Sequence, residues 1–358
     1  MTDPARRLPP VVRLAPAKLN LTLAVVGRLP DGYHALHSVV VPLDLADRLS
    51  LAVATSDDDS LHVTGFDVGP PGDNLVARAI AATRDAVATH WSGAPARPPA
   101  LAARLEKRIP VAAGLGGGSS DAAAAIDGAL EAWGAGLDAG GRLAVGASLG
   151  ADVPLFLARG AVLIEGRGER LTRLHGVRCA PGEEPGLLLV TPALPASTKA
   201  VFAAWSAGAM AEPGVARRTS EHFASELGSG LRVRQLIERA GVLAAANDLL
   251  PAAAQVVPGL VPLRRALMRL LGRPIGLSGS GPTLWALYPS RGDAEAAARI
   301  VREAHAGGTL DAPGDGPPFV TAATILVEPV AADADSAEPR PAPVTARRAD
   351  DDPERRTQ

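Results

Sequence analysis

Between Arg13 and Val26 apolar and polar residues alternate, and the run Lys-Leu-Asn-Leu-Thr-Leu-Ala-Val predicts a strand with one buried face. A period of two sets Leu19, Leu21 and Leu23 on one side and Lys18, Asn20 and Thr22 on the other. Further apolar runs predict strands at 38–43, 48–54, 61–64 and 101–108, and a hairpin at 159–174 turning around Gly166 and Gly168. Helical spacing predicts a helix from an Asp73 cap to about His90, one from about Ser119 to Trp133, and one that Asp138 caps and that ends near Leu149. Beyond the Pro- and Gly-bearing segment at 180–185, read as a domain boundary, a second set of elements follows. It comprises a strand at 186–190, a helix capped by Ser197, helices near 231–240 and 261–271, and a turn at 278–283 inside an apolar hairpin. A helix at 293–306 and a strand at 321–327 close it. The order predicts an α+β sheet covered on one face by helices, with domains at 11–180 and 186–330 between a flexible start, 1–10, and a tail, 331–358. That tail is rich in Pro, Asp and Arg and has no aromatic residue, so it is expected to be disordered.

The densest chemistry lies from Pro110 to Ala125. Gly114, Gly116, Gly117 and Gly118 free the backbone to turn left-handed and to approach a ligand, and they run into a helix start for which Ser119, Ser120 and Asp121 are cap candidates. Unpaired N–H groups and a positive partial charge at such an end suit a phosphate; a small-residue loop that merely lets the helix pack closely is the competing reading. The stretch lacks the Gly-Lys-Ser/Thr ending of a P-loop, and Ser119 stands where the dinucleotide fingerprint needs its third glycine, which argues against a dehydrogenase.

Composition narrows the partner. The chain has 358 residues, 47% hydrophobic but only 3% aromatic, with a formal net charge of −2. Its cores are therefore built from Ala, Val and Leu, and no basic block argues for nucleic acid or an anionic membrane, which points to a small-molecule partner. The one cysteine, Cys179, can form no internal disulfide, which fits a reducing cytoplasm, and no apolar leader or long apolar run predicts export or a membrane span. Lysine is scarce, at 18, 107 and 199 only, and so is asparagine, at 20, 74 and 247. Lys18 and Asn20 thus share a strand face with residue types the chain otherwise avoids, although a solvated face would account for them too. Pro30-Asp31-Gly32 is a turn that presents Tyr33 and His34, a pair able to stack on and hydrogen-bond a planar base. Asp152, set among Ala, Val, Pro and Leu, is expected to be partly buried and to need a partner, either a cap or Lys18.

With these pieces in place the sequence resembles the GHMP family of small-molecule kinases, whose phosphate loop Pro-x-x-x-Gly-Leu-Gly-x-x-Ser-Ser is matched by Pro110, Gly114, Leu115, Gly116, Ser119 and Ser120. Pro16-Ala17-Lys18-Leu19-Asn20-Leu21, Asp31-Gly32-Tyr33-His34, Gly150-Ala151-Asp152-Val153-Pro154 and Ser278-Gly279-Ser280-Gly281 are similar to the branch that phosphorylates a cytidine diphosphate-linked methylerythritol. The resemblance implies an N-terminal domain like ribosomal protein S5 domain 2 and a ferredoxin-like C-terminal domain, with the site between them. It assigns ATP to Pro110, Val111, Ala112, Ala113, Gly114, Leu115, Gly116, Gly117, Gly118, Ser119 and Ser120, with Gly279 and Ser280 nearby. It assigns catalysis to Lys18 and Asp152, and the substrate to Asn20, Tyr33, His34, Thr198 and Phe202. Mg²⁺ is expected to accompany ATP; beyond Asp152 the sequence offers no dedicated acidic ligand. Another kinase of the family, or a non-catalytic sensor on the same fold, are the alternatives; the latter has no need of both Lys18 and Asp152.

Overall fold

The computed structural model describes residues 9–30, 32–69, 73–89, 91, 93, 97–180, 182–207 and 214–327. Asp31, His90, most of the 1–10 segment and the 331–358 tail named above lie outside these residues.

In chain order the elements are β1 (Val11–Asn20), β2 (Ala24–Arg28), β3 (His34–Val53), β4 (Ser60–Gly65), α1 (Leu75–Ala88), β5 (Leu101–Lys107), α2 (Gly117–Trp133), α3 (Ala139–Leu149), α4 (Val153–Ala158), β6 (Val162–Gly166), β7 (Arg170–Arg173) and β8 (Val177–Arg178). The second half holds β9 (Gly186–Thr191), α5 (Thr198–Ala207), α6 (Val215–Gly228), β10 (Leu231–Arg232), α7 (Val233–Glu238), α8 (Ala240–Ala244), α9 (Leu250–Val256), α10 (Leu260–Leu271), β11 (Gly276–Leu277), β12 (Leu284–Tyr288), α11 (Arg291–Ala306) and β13 (Phe319–Thr324).

β1 to β7 form one sheet organised on β3, which pairs antiparallel with β1, β2, β5 and β6. Sequence predicts two strands here, split by Asp44 and Asp47; the structure runs straight through because both carboxylates find partners. Asp44 accepts from the Thr324 amide at 2.7 Å, and the fully buried Asp47 accepts from the Ile109 amide at 2.9 Å. The single strand predicted over 13–26 is instead broken at 21–23, where Leu23 leaves β3 and donates its amide to Ala246 O at 2.7 Å. Nor is the part of β1 that carries Lys18 and Asn20 wet; only its start is open, at Val12 and Leu14. Lys18 and Asn20 are each 6% exposed, so the solvated-face reading does not hold.

The second sheet has the order β11-β12-β9-β13, all antiparallel. With helices between β9 and β11 and α11 between β12 and β13, this is the ferredoxin-like arrangement the resemblance implies. It is covered on both faces rather than one. Leu188, Val190, Leu284 and Ala286 pack with α9, α10 and α11, while Leu187, Leu189 and Trp285 join Leu19, Leu21 and Val39 of the first sheet and Phe223 and Leu227 of α6. Three helix starts differ from expectation: Asn74 rather than Asp73 caps α1, Ser290 caps α11, and α2 begins at Gly117 behind a left-handed Gly116 with no side-chain cap. Neither serine nor Asp121 caps α2, because the chain has already entered the helix at Gly117.

Candidate active site

The loop before α2 turns through positive φ at Ala112, Gly114 and Gly116, with values of 51°, 76° and 71°. Glycine is needed at 114: a Cβ there would overlap Ser278 O, in the glycine turn between β11 and β12. The two turns are tied together, since Ser278 Oγ donates to Gly114 O at 2.9 Å and the Thr283 amide donates to Ala113 O at 3.3 Å. β1 is tied to the same loop through the Lys18 amide, which donates to Leu115 O at 2.9 Å. Packing, not a cap, therefore fixes the first turn of α2, and its leading N–H groups stay free of side-chain acceptors.

Lys18 ends beside this junction. Its ammonium donates to Gly114 O at 2.8 Å and to Asn20 Oδ1, and Asn20 in turn donates from Nδ2 to Ser38 Oγ at 2.8 Å. Ser38 Oγ donates to Thr22 O at 2.6 Å, so every group in the chain is oriented. Burial pushes the Lys18 pKa down, and the negative charge of Asp152 opposes that shift. Asp152 itself is exposed, not partly buried as expected, because Val153, Pro154, Leu155 and Leu157 carry the buried side of α4. Its side chain makes no cap bond to α4. The result is a buried cation and a solvated carboxylate on the wall of one cleft.

That cleft has a volume of about 440 Å³, within the usual range for small-ligand sites. It gathers Lys18, Asn20, Asp152, the loop residues Pro110 to Gly114 and Gly116 to Ser119, Gly279, Ser280, Thr198 and Phe202. Leu115 and Ser120 do not line it, and each is only 1% exposed. Thr198 and Ser280 share a hydroxyl hydrogen bond at 3.0 Å, which joins α5 to the second glycine turn. Tyr33 and His34 stand outside the wall but close to it. The His34 ring stacks on Phe202 at 5.3 Å with 20° between planes, meets Trp205 edge-on at 5.0 Å, and shares a 2.9 Å hydrogen bond with Ser206. Tyr33 is 65% exposed, with the Arg167 guanidinium 5.8 Å from its ring centre.

Sequence reasoning missed Lys107, Asn74, Arg167 and Asp121, all on the cleft wall. The scarcity of lysine and asparagine pointed to Lys107 and Asn74 as much as to Lys18, but no local pattern joined them to the loop. Lys107 is 5% exposed and donates to Asp47 and, at 2.7 Å, to Asp121. Burial raises the Asp121 pKa to about 7 against the pull of Lys107. This buried cluster lies under the first turn of α2, where a Cβ on Gly117 would come within 3.2 Å of Lys107 Nζ.

The fold is that of a GHMP kinase: residues 74–160 match the GHMP kinases N terminal domain, and residues 224–307 the GHMP kinases C terminal domain. A protein of Pelotomaculum thermopropionicum named 4-diphosphocytidyl-2-C-methyl-D-erythritol kinase is 37% identical over 77% of this chain and 88% of its own length. One of the same name from Methylorubrum extorquens is 38% identical over 82% and 94%. The crystal structure of a 4-(cytidine 5'-diphospho)-2C-methyl-D-erythritol kinase superposes with a TM-score of 0.61 at 30% identity, over 87% of this chain and 99% of that one. Homoserine kinase from Cytophaga hutchinsonii, at 17% identity and a TM-score of 0.62 over 91% and 97%, shares the fold. The chain belongs to the 4-diphosphocytidyl-2-C-methyl-D-erythritol kinase family. It is an ATP-dependent small-molecule kinase.

Proposed function

We propose that this protein transfers the γ-phosphoryl group of ATP to the 2-hydroxyl of 4-diphosphocytidyl-2-C-methyl-D-erythritol, in the cytoplasm, as a step of non-mevalonate isoprenoid precursor synthesis. The observation that carries the reading is that the buried Lys18 ammonium and the exposed Asp152 carboxylate, close enough for the one to feel the other's charge, both line the cleft that holds the glycine loop. Phosphoryl transfer asks for positioning and charge neutralisation, plus a carboxylate that accepts the acceptor's proton. Here the Asp152 carboxylate takes the hydroxyl proton as the new O–P bond forms, and the bond from the γ-phosphorus to its bridging oxygen breaks to release ADP. Lys18, held by Gly114 O and Asn20, presents a fixed positive charge to the developing charge on the transferring group. The uncapped start of α2 receives ATP phosphates. Thr198 and Phe202, with His34 stacked behind Phe202, bound the substrate side. Burial, helped by Arg28, lowers the His34 pKa, so its ring is uncharged at neutral pH, as suits stacking on a base.

Among the described residues no three His, Cys, Asp or Glu side chains converge on a metal. A Mg²⁺ ion brought in on the triphosphate would draw on Asp152, the exposed carboxylate of the cleft wall. Bound there, the ion neutralises phosphate charge.

The test compares ADP release with the cytidyl substrate and with 2-C-methylerythritol 4-phosphate, which lacks the cytidine. Turnover confined to the first is expected. Equal turnover with both would assign the chain to a different acceptor, and nucleotide binding without turnover on either would make it a sensor.

A further inference from the structure

A second cavity, of about 370 Å³, shares Lys18 and Leu155 with the cleft but is otherwise built from different residues. Its body is apolar, formed by Val12 and Leu14 of β1, Val40 and Pro42 of β3, Phe156 of α4 and Val327. Its polar lining is mostly donors, Lys18, Arg13, Ser120 and Arg159, with one carboxylate, Asp127. Ser120 lines it, and that hydroxyl, on a residue 1% exposed, has no hydrogen-bond partner among the described residues. Neighbouring Ser119 instead lines the cleft, so one turn of α2 divides its two serines between two cavities. Arg13 also lines the second cavity; its Nη2 pairs with Glu131, while its Nε is buried without an acceptor.

The charge balance there leans positive. Asp127 is already held by Arg142, whose Nη2 and Nε lie 2.5 and 3.0 Å from Oδ1. Arg159, 3.4 Å from the other carboxylate oxygen, is the surplus cation at the mouth, with its side chain 70% exposed. A buried donor left without an acceptor is unfavourable, and native structures seldom keep one unless an acceptor arrives from elsewhere. An apolar body with two unpartnered buried donors, its one carboxylate already covered by two arginines, describes its ligand by chemistry.

We propose that this cavity binds a small amphipathic anion: an aliphatic body seated on Leu14, Val40 and Phe156, and a carboxylate or phosphate head that accepts from Ser120, Arg13 Nε and Arg159. It is a site separate from phosphoryl transfer. Calorimetry on the full chain, with the cleft saturated by a non-hydrolysable ATP analogue, tests it with octanoate and octyl phosphate as probes and octanol and inorganic phosphate as controls. At least one of the two anions binds one-to-one, and the controls bind at least tenfold more weakly. Arg159→Ala weakens that binding about tenfold, the scale of one charge-assisted hydrogen bond. Leu14→Asp, at a position 65% exposed, abolishes it, and both variants keep normal kinase turnover, which shows that they fold. Absence of binding by both anions, loss of binding when the cleft is filled, octanol binding as tightly as the anions, or indifference to both substitutions would each overturn the proposal.

Discussion

Lys18 holds its charge where a charge is costly, and the surrounding groups show why it is kept there. An ammonium that is buried, depressed in pKa and fixed by two oxygens cannot swing to solvent, so it is available to a bound phosphate at no cost in reorganisation. Asp152→Asn is expected to lose ~10²–10⁴-fold in turnover, the usual contribution of a positioned base, while ATP affinity stays within a few-fold. Steady-state kinetics beside nucleotide titration separates the two quantities; near-normal turnover would remove Asp152 as the base. Gly279 is tested independently. Its φ is 57°, and an added Cβ would lie 3.1 Å from Lys18 Nζ and 3.2 Å from Asn20 Oδ1. Gly279→Ala should therefore displace the ammonium and cost about 10²-fold in turnover, the scale of a 1 Å misplacement, with little change in melting temperature. The pairing of Lys18 with Asn20 was legible in the sequence because both residue types are rare and lie two apart. The exposure of Asp152 was not, because its flanking residues read as buried while only one side of α4 is.

Among the elements, α2 has a start whose geometry differs from the sequence reading. Serines and an aspartate at a helix start read as caps, yet the glycine turn brings the chain into the helix earlier, and Asp121 turns inward to Lys107. Burial first, and the neighbouring Asp47 carboxylate after it, favour a proton on Asp121 against the pull of Lys107. Below about pH 4 both folded and unfolded chains hold that proton; between pH 4 and 7 the unfolded chain releases it while the folded one keeps it. Stability from this group is thus lost as pH rises from about 4 to about 7. Denaturant unfolding of Asp121→Asn across that range should show a smaller fall than the parent protein, and an unchanged slope would place the titration elsewhere. On α5, Phe202 is braced by His34 and faces the cleft. Phe202→Ala should raise KM for the cytidyl substrate about tenfold, as expected for one base stacked on an aromatic ring, and leave KM for ATP alone. Equal effects on both would mean that the ring supports the cleft in general.

Across the whole molecule, elements with strong local signals match the reading, since Asp138 caps α3 and Gly166 turns the β6–β7 hairpin as expected, whereas α4, α6 and α9, none opened by a side-chain cap, stand where no helix was predicted. Strand partners were not legible, because pairing is set between distant segments. β3 is one strand only because Thr324 and Arg291, almost the length of the fold away, satisfy Asp44. In the same way, the second sheet is covered on both faces because Leu187, Leu189 and Trp285 share a core with Leu19 and Leu21. The described residues lie within one compact unit. On the proposed function, this unit makes a phosphate ester on the methylerythritol moiety of its substrate. The most direct measurement is ³¹P NMR of the product formed from ATP and 4-diphosphocytidyl-2-C-methyl-D-erythritol. A single new monoester on the 2-hydroxyl, formed in equal amount with ADP and absent with Asp152→Asn, is the predicted result; ADP with inorganic phosphate and no new ester, or an ester on another hydroxyl, would contradict it.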